Sequence, residues 1–450
     1  MSRARELPPE PGAIRPFEFP DVVRQRLDGG LDLRVARLPR LPLVTLSLVL
    51  PAGEVALAPA LGGLAVLTGD ALEGGTATRS GAALAEAVED IGAGLEISTG
   101  WDATTVSLSC LADRMDEALG LLAEVALRPA FPEDEVERMR GQRLAVIRQR
   151  AMDPSALAGD QAVRLIYREG SRYGRPLGGT LESVEAIDRA AVEAFHAERY
   201  RPAGAGVVMA GDVDPDDAAA LLRRHFGAWE GASPATAPVE GVARATRRTV
   251  HVVDRPGAVQ SELRLGHPGV PHADPDHVAL VVLNTVLGGA FTSRLNLSLR
   301  ERHGFTYGVR SRFSFRGGPG PFHVSTAVGS EATAPAVREI MGELEAIVDD
   351  GPTDAEVEAA RDYVAGVFPL RLETTAQVAS RIAEQIVYGL ADDYHATYRE
   401  RIRAVDREAA LAAARRHIRP AEATIVVVGD AGVVREPLES LSLGPVEVHG

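Results

Sequence analysis

A single cysteine in 450 residues, Cys110 in the apolar run Val106-Ser-Leu-Ser-Cys110-Leu111, rules out an internal disulfide framework and a cysteine-based metal site. Paired histidines are missing too. None of the eleven has another four residues away, so a helical two-histidine zinc motif is absent in either orientation. There is no basic excess: lysine and arginine number 48 against 63 acidic residues. A net charge of −15 without a basic stripe argues against nucleic acid or an anionic membrane surface as the main partner. Long apolar runs are lacking as well, none reaching the roughly 18 uninterrupted residues of a membrane span. The start, Met1-Ser-Arg-Ala-Arg-Glu-Leu-Pro-Pro-Glu-Pro-Gly12, holds charges and prolines where a secretory leader carries an apolar stretch. A cytoplasmic location is therefore expected, with the periplasm as the alternative for a chain whose leader has been removed.

What is present is enough for a large core and more than one domain, since 45% of the chain is hydrophobic and a quarter is charged. Residues 35–50 read as strand, and 61–73 and 80–91 read as helices. Ser80 is the expected N-cap of the second helix, with Leu84, Val88 and Ile91 at helical spacing. Alternation in Leu95-Glu-Ile-Ser-Thr99 and Thr105-Val-Ser-Leu-Ser109 marks a half-buried sheet. Helices are expected over 115–127 and 133–149, and a strand over 206–211. The small, Pro-rich stretch Gly231-Ala-Ser-Pro-Ala-Thr-Ala-Pro238 reads as a linker. The second half repeats the first in outline: strand 248–254, helix 275–287, strands 304–315 and 322–328, then long helices between 334 and 414. Its closing Ala423-Thr-Ile-Val-Val-Val-Gly-Asp430 matches Val207-Val-Met-Ala-Gly-Asp212, which points to an internal duplication. The expected organisation is a flexible N-terminal tail (1–14), a first domain (15–230), a linker (231–247) and a second domain (248–450), together making a clam-like shell.

Several segments in this order carry a family resemblance. They are Gly63-Leu-Ala-Val66-Leu-Thr-Gly69-Asp70-Ala-Leu-Glu-Gly-Gly-Thr76, Phe195-His-Ala-Glu-Arg-Tyr-Arg-Pro202, Ala210-Gly-Asp-Val-Asp-Pro215 running to Phe226-Gly-Ala-Trp229, and Leu287-Gly-Gly-Ala-Phe-Thr-Ser-Arg-Leu295. The chain resembles the pitrilysin/insulinase family of inverted-motif zinc metallopeptidases, in its short-subunit, processing-peptidase-like branch. The resemblance implies an α+β fold of two homologous α/β-sandwich domains, each a mostly antiparallel sheet packed with helices, forming half of a clamshell. In that family two histidines of His-x-x-Glu-His and a distal glutamate bind zinc, and the motif's glutamate acts as general base on the zinc-bound water. Carried over residue by residue, the histidines fall at Val66 and Asp70 and the base at Gly69. The distal glutamate falls near Val146, and a supporting glutamate at Met139. Aliphatic side chains and glycine cannot serve, and one carboxylate does not make a zinc site. The first domain is thus expected to carry a degenerate zinc motif, with no metal of its own and zinc residing in a partner subunit.

Two other patterns bear on chemistry. In His267-Pro-Gly-Val-Pro-His272-Ala-Asp274-Pro-Asp276-His277 a metal site with Asp274 or Asp276 is one reading; the other is a polar loop ending in a helix cap. In Ser293-Arg-Leu-Asn-Leu-Ser-Leu-Arg300-Glu-Arg-His-Gly304-Phe-Thr-Tyr307, Arg300 and Tyr307 match an arginine and a tyrosine that active family members keep seven residues apart. The resemblance implies that this pair reaches across the clamshell to the zinc of the opposite first domain, where a hydroxyl and a guanidinium stabilise a developing oxyanion and hold the peptide. A helix to His303, capped by Gly304 and followed by a strand from Phe305, would set the two side by side. The ordinary alternatives are an arginine paired on a solvated helix face and a tyrosine filling a sheet. Gly288-Gly289 and Arg316-Gly-Gly-Pro-Gly-Pro321 read as turns or as places of close peptide approach, with Arg316 a peptide contact by location only.

Together these features lead us to expect a non-zinc-binding subunit of a heterodimeric zinc metalloendopeptidase, inactive alone. Its expected partners are a homologous subunit with intact His-x-x-Glu-His and peptide or unfolded polypeptide, bound as a strand on a sheet edge. The alternatives are a purely structural scaffold subunit like the respiratory-complex core proteins, and an independent peptidase with an unrecognised metal site.

Overall fold

The computed structural model describes Gly12 and residues 16–450; apart from Gly12, the expected flexible tail, 1–14, lies outside the described residues. Twelve strands form two six-stranded sheets. The first holds β1 (Val22–Arg26), β2 (Asp32–Arg37), β3 (Leu43–Leu50), β4 (Gly94–Thr99), β5 (Thr104–Leu111) and β6 (Gly206–Gly211), in the order β1-β2-β6-β3-β5-β4. The second holds β7 (Thr249–Asp254), β8 (Gln260–Pro268), β9 (Val309–Phe313), β10 (Pro321–Gly329), β11 (Thr424–Gly429) and β12 (Val446–His449), in the order β12-β7-β11-β8-β10-β9. Five positions correspond one to one, including the parallel β2–β6 and β7–β11 pairs among otherwise largely antiparallel neighbours. Only the sixth position differs: β1 turns back antiparallel on β2, whereas β12 lies parallel to β7. The duplication suggested by the two Gly-Asp strand endings is therefore a repeat of topology.

The stretch read as one strand over 35–50 is two, parted by a turn at residues 38–42, because the chain must leave β2 and return beside β6. Helices form where the apolar spacing places them: Leu64–Ala71, Gly81–Asp90 with the Ser80 hydroxyl accepting from the Ala83 N–H, Met115–Leu127 and Glu133–Met152. The run His277–Arg302 is the one helical stretch among the described residues long and apolar enough to cross a membrane, by length and composition. It is broken by a turn at residues 290–293, and its Leu280, Leu283, Leu287, Leu295 and Leu299 lie in the second core.

The two halves do not pack independently. The helix Thr375–Tyr388, from the second half, lays Val378, Ala379, Ile382 and Ala383 on Ala36, Val49, Val208 and Ala210 of the first sheet. In return the helix Pro154–Ile166, from the first half, sets Ala158, Ala162, Leu165 and Ile166 against Val253, Val426 and Val428 of the second. Each sheet is thereby covered on both faces. This explains why β6 and β11 are buried at every residue and read as continuous apolar runs. It also explains the hydroxyl rows in β3 and β5. Thr45 pairs with Ser109 and Thr375, and Ser47 with Ser107, so the polar face of the alternation is satisfied beneath the borrowed helix. Between Phe226 and Thr249 the chain has no helix or strand, only an isolated bridge at Ala232 and another at Ala243, and it is tied down by Arg172 and Arg199 bonding the carbonyls of Ala237 and Pro234.

Ile382 is fully buried between the halves. Ile382→Ala is expected to cost about 2–5 kcal/mol and to raise amide exchange in β3 and β6, as read by hydrogen–deuterium exchange.

Candidate functional site

The helix Leu64–Ala71 carries the degenerate motif and is held at its start by a buried carboxylate. Glu54, with no solvent exposure, accepts from the N–H groups of Gly63, Ala65 and Val66 at 3.1, 3.0 and 3.2 Å and pairs with Arg175 at 3.1 Å. A carboxylate at a helix N-terminus meets free N–H donors and the positive end of the dipole, so this anchor fixes the helix against its surroundings. Burial pushes the Glu54 pKa up, and Arg175 and the three N–H groups oppose that shift. Gly63, at φ +90°, makes the sharp entry that lets the backbone reach Glu54.

Around this helix the zinc-site positions come together without a zinc site. Asp70, Met139 and Val146 line one hollow of about 400 Å³ with Glu73, Arg138 and Arg143. Val66 is buried, and Val146 is 43% exposed with nothing to donate. Asp70 is spoken for: its carboxylate accepts a charge-assisted hydrogen bond from Arg143, one turn before Val146 on the helix Glu133–Met152. The guanidinium supplies the positive charge that a metal ion would bring, and Arg138 and Arg143 together repel a cation. Burial and the nearby Asp70 raise the pKa of Glu73. At Gly69 the space for a general base has closed, since a Cβ there would sit 2.3 Å from Thr99 Oγ1 on β4, whose hydroxyl pairs with Thr104. Arg143, Thr99 and the Glu54–Arg175 pair were not anticipated from the sequence; the only cue was an arginine on the predicted helix one turn from the expected ligand.

Arg300 and Tyr307 lie in the other half. The helix Arg294–Asn296 continues with π-helical hydrogen bonding over Leu297–Arg302, and a second π segment spans Thr285–Gly289. Such wide turns often accompany functional sites. The Arg300 guanidinium lies over the Phe291 ring, 4.3 Å from its centroid, with Glu301 at 3.6 Å; its Nη1 is buried without a hydrogen-bond partner. Tyr307 is 99% exposed. The strand expected from Phe305 begins only at Val309, so Tyr307 sits in a loop. The reason is Asn296, whose buried side chain donates to the Val309 carbonyl at 2.9 Å and accepts from the Val309 N–H at 3.2 Å, standing in for a strand partner. Thr306 bonds Gly308 and Thr326, and Gly304 takes φ +65° as the expected αL cap. The scaffold under Tyr307 is tied down while the side chain points into solvent.

The remaining candidates resolve into packing. A Cβ on Gly288 would meet the Ser311 backbone nitrogen at 2.6 Å, so this glycine allows the π segment to approach β9. Arg316 is no exposed peptide contact. Its guanidinium lies against the edge-to-face pair of Trp101 and Tyr173 of the first half, 4.4 and 4.5 Å from their ring centroids, and its loop is bound there by Gly318 N–H to Tyr173 and by Tyr167 to the Pro319 carbonyl. His267 is buried, accepting from the Arg419 N–H, and burial holds its pKa at about 3. His272 and His277 stack on each other. Asp274 and Asp276 converge with His417 rather than with these histidines.

The fold is that of a metallopeptidase framework in which the positions matched to the zinc ligands hold Val66, Asp70 and Val146. Comparison with known proteins agrees. A family model described as insulinase (peptidase family M16) matches residues 36–180, and one described as peptidase M16 inactive domain matches residues 186–364. An "uncharacterized zinc protease" of Mycobacterium leprae is 30% identical over 82% of this chain and 83% of its own length. A "non-peptidase homolog" of Helicobacter pylori is 25% identical over 74% and 77%. The crystal structure of a peptidase M16 inactive domain from Pseudomonas fluorescens superposes with a TM-score of 0.85 at 26% identity, covering 91% of this chain and 98% of that one. The chain belongs to the insulinase (M16) family.

The quadruple variant Val66→His, Gly69→Glu, Asp70→His, Val146→Glu is expected to take up no zinc beyond that of the parent chain, measured by metal analysis after dialysis. Gly69→Glu alone is expected to lower stability by about 1–3 kcal/mol through the clash with Thr99, read from the urea midpoint.

Proposed function

We propose that this protein is the non-zinc-binding subunit of a heterodimeric metalloendopeptidase and works with a homologous subunit carrying an intact His-x-x-Glu-His. One observation carries the reading: the chain's own motif is neutralised by the Asp70–Arg143 pair, while Tyr307 stands 99% exposed on a loop anchored by Asn296. A solvent-facing tyrosine on a fixed support has no use in the isolated fold. It suits a group that enters another subunit's cleft, where burial would strengthen its hydrogen bond to an oxyanion. Arg300 Nη1 has no hydrogen bond within the chain, only the ion pair with Glu301 at 3.6 Å, so a peptide carbonyl would be drawn to it if the side chain turned outward from Phe291. In this reading zinc would be held by the partner's His-x-x-Glu-His and would supply an activated water, while an extended peptide adds to a sheet edge and Arg300 and Tyr307 bind it and stabilise the transition state in trans. The scaffold alternative draws on the Arg300–Phe291 stack, which occupies the guanidinium within the chain.

Co-expression with an intact-motif homologue is expected to give a one-to-one complex that cleaves unfolded polypeptide in a chelator-sensitive way. In that complex Tyr307→Phe should lower kcat about 10²–10³-fold with little change in KM, and Arg300→Ala should lower kcat/KM. Unchanged kinetics in both variants would make the subunit a scaffold.

A further inference from the structure

The parallel pair β7 and β12 brings together three side chains that neither the family motif nor the proposed function uses. Glu447 is in register with His251, and Glu447 and His449, two residues apart on one strand, share a face. His251 Nδ1 lies 3.0 Å from His449 Nε2 and 3.4 Å from the Glu447 carboxylate, and the three ligand atoms all lie within 4.8 Å of one another. Around a tetrahedral Zn²⁺ with bonds of about 2.0–2.1 Å, ligand atoms stand about 3.3 Å apart. Two of the three separations are therefore already close to that spacing, and the third lies within 4.8 Å.

The surroundings favour a ligand set over a plain cross-strand cluster. His251 is 5% exposed, and its far nitrogen, Nε2, lies 3.2 Å from Thr249 Oγ1. A proton on Nε2, donated to that hydroxyl, leaves the Nδ1 lone pair aimed at His449 and Glu447, the orienting contact that metal-bound imidazoles commonly show. Glu447 is exposed and His449 partly so, which leaves a path from solvent and room for water on the remaining coordination positions. The other convergent group already holds a cation: Asp276 is paired with Arg416 at 2.7 Å and is hydrogen-bonded to His417 at 2.7 Å.

We infer that His251, Glu447 and His449 form a site for one divalent transition-metal ion, with Zn²⁺ the best match to two imidazoles and a carboxylate, and that the ion staples the short edge strand β12 to β7. The site belongs to this chain alone, far in sequence from the degenerate motif and independent of any partner's zinc.

The test uses the isolated full chain, stripped of metal and titrated with ZnCl₂ by calorimetry, with CoCl₂ absorption as a coordination probe. One ion per chain is expected, with tetrahedral-type Co²⁺ bands and a metal-dependent rise in Tm. His449→Ala and Glu447→Gln, at positions open to solvent, should abolish or strongly weaken binding while leaving the circular dichroism spectrum unchanged. Thr249→Val should weaken it about 10–100-fold. The inference is overturned if no saturable binding appears, if binding survives His449→Ala, or if His417→Ala removes it instead.

Discussion

Each sheet in this protein is sealed on one face by a helix that the other half supplies. Val378 and Ile382 lie on the first sheet, and Leu165 and Ile166 on the second. Burying a large aliphatic side chain contributes about 1.5–3 kcal/mol, so neither half keeps its full core if they separate. The remaining contacts between the halves depend on that exchange. They include the Arg316 guanidinium against the Trp101–Tyr173 ring pair, the bonds linking Tyr167 and Tyr173 to the glycine- and proline-rich loop, and Arg34 reaching Gln385 at 3.0 Å. The exchange also sets the degenerate motif helix and the Arg300–Tyr307 loop at fixed places in one rigid frame.

Within that frame the motif helix carries an ion pair, Asp70 with Arg143, at a position matched to a zinc ligand. Removing a metal from a peptidase framework leaves carboxylates without their cation, and an uncompensated part-buried charge is costly. Here Asp70, standing where the resemblance places the second histidine, is the one carboxylate among the three matched ligand positions, and Arg143 pairs with it. Thr99 occupies the space beside Gly69 where a general base would stand. The motif helix and its surroundings are thus a packed and charge-balanced part of the fold.

Much of this was legible in the sequence. The helix over 115–127 falls where its apolar spacing put it, Ser80 caps as its position implied, and the matching Gly-Asp strand endings foretold the repeated topology. Other parts were not. The break of 35–50 into two strands depends on β6, some 160 residues later, and the delayed start of β9 depends on the Asn296 amide. Arg316 looked like a surface residue because nothing local shows that an indole and a phenol from the other half enclose it.

By itself the sequence determined the family framework and the absence of zinc chemistry in the motif, because these rest on residue identity: valine and glycine at positions 66, 146 and 69 can neither donate to a metal nor take a proton. Only the tertiary structure decided what replaced that chemistry and what lies elsewhere. Arg143 meets Asp70 across 73 residues and His251 meets His449 across 198, and such meetings are set by how sheets and helices pack, which no local pattern encodes.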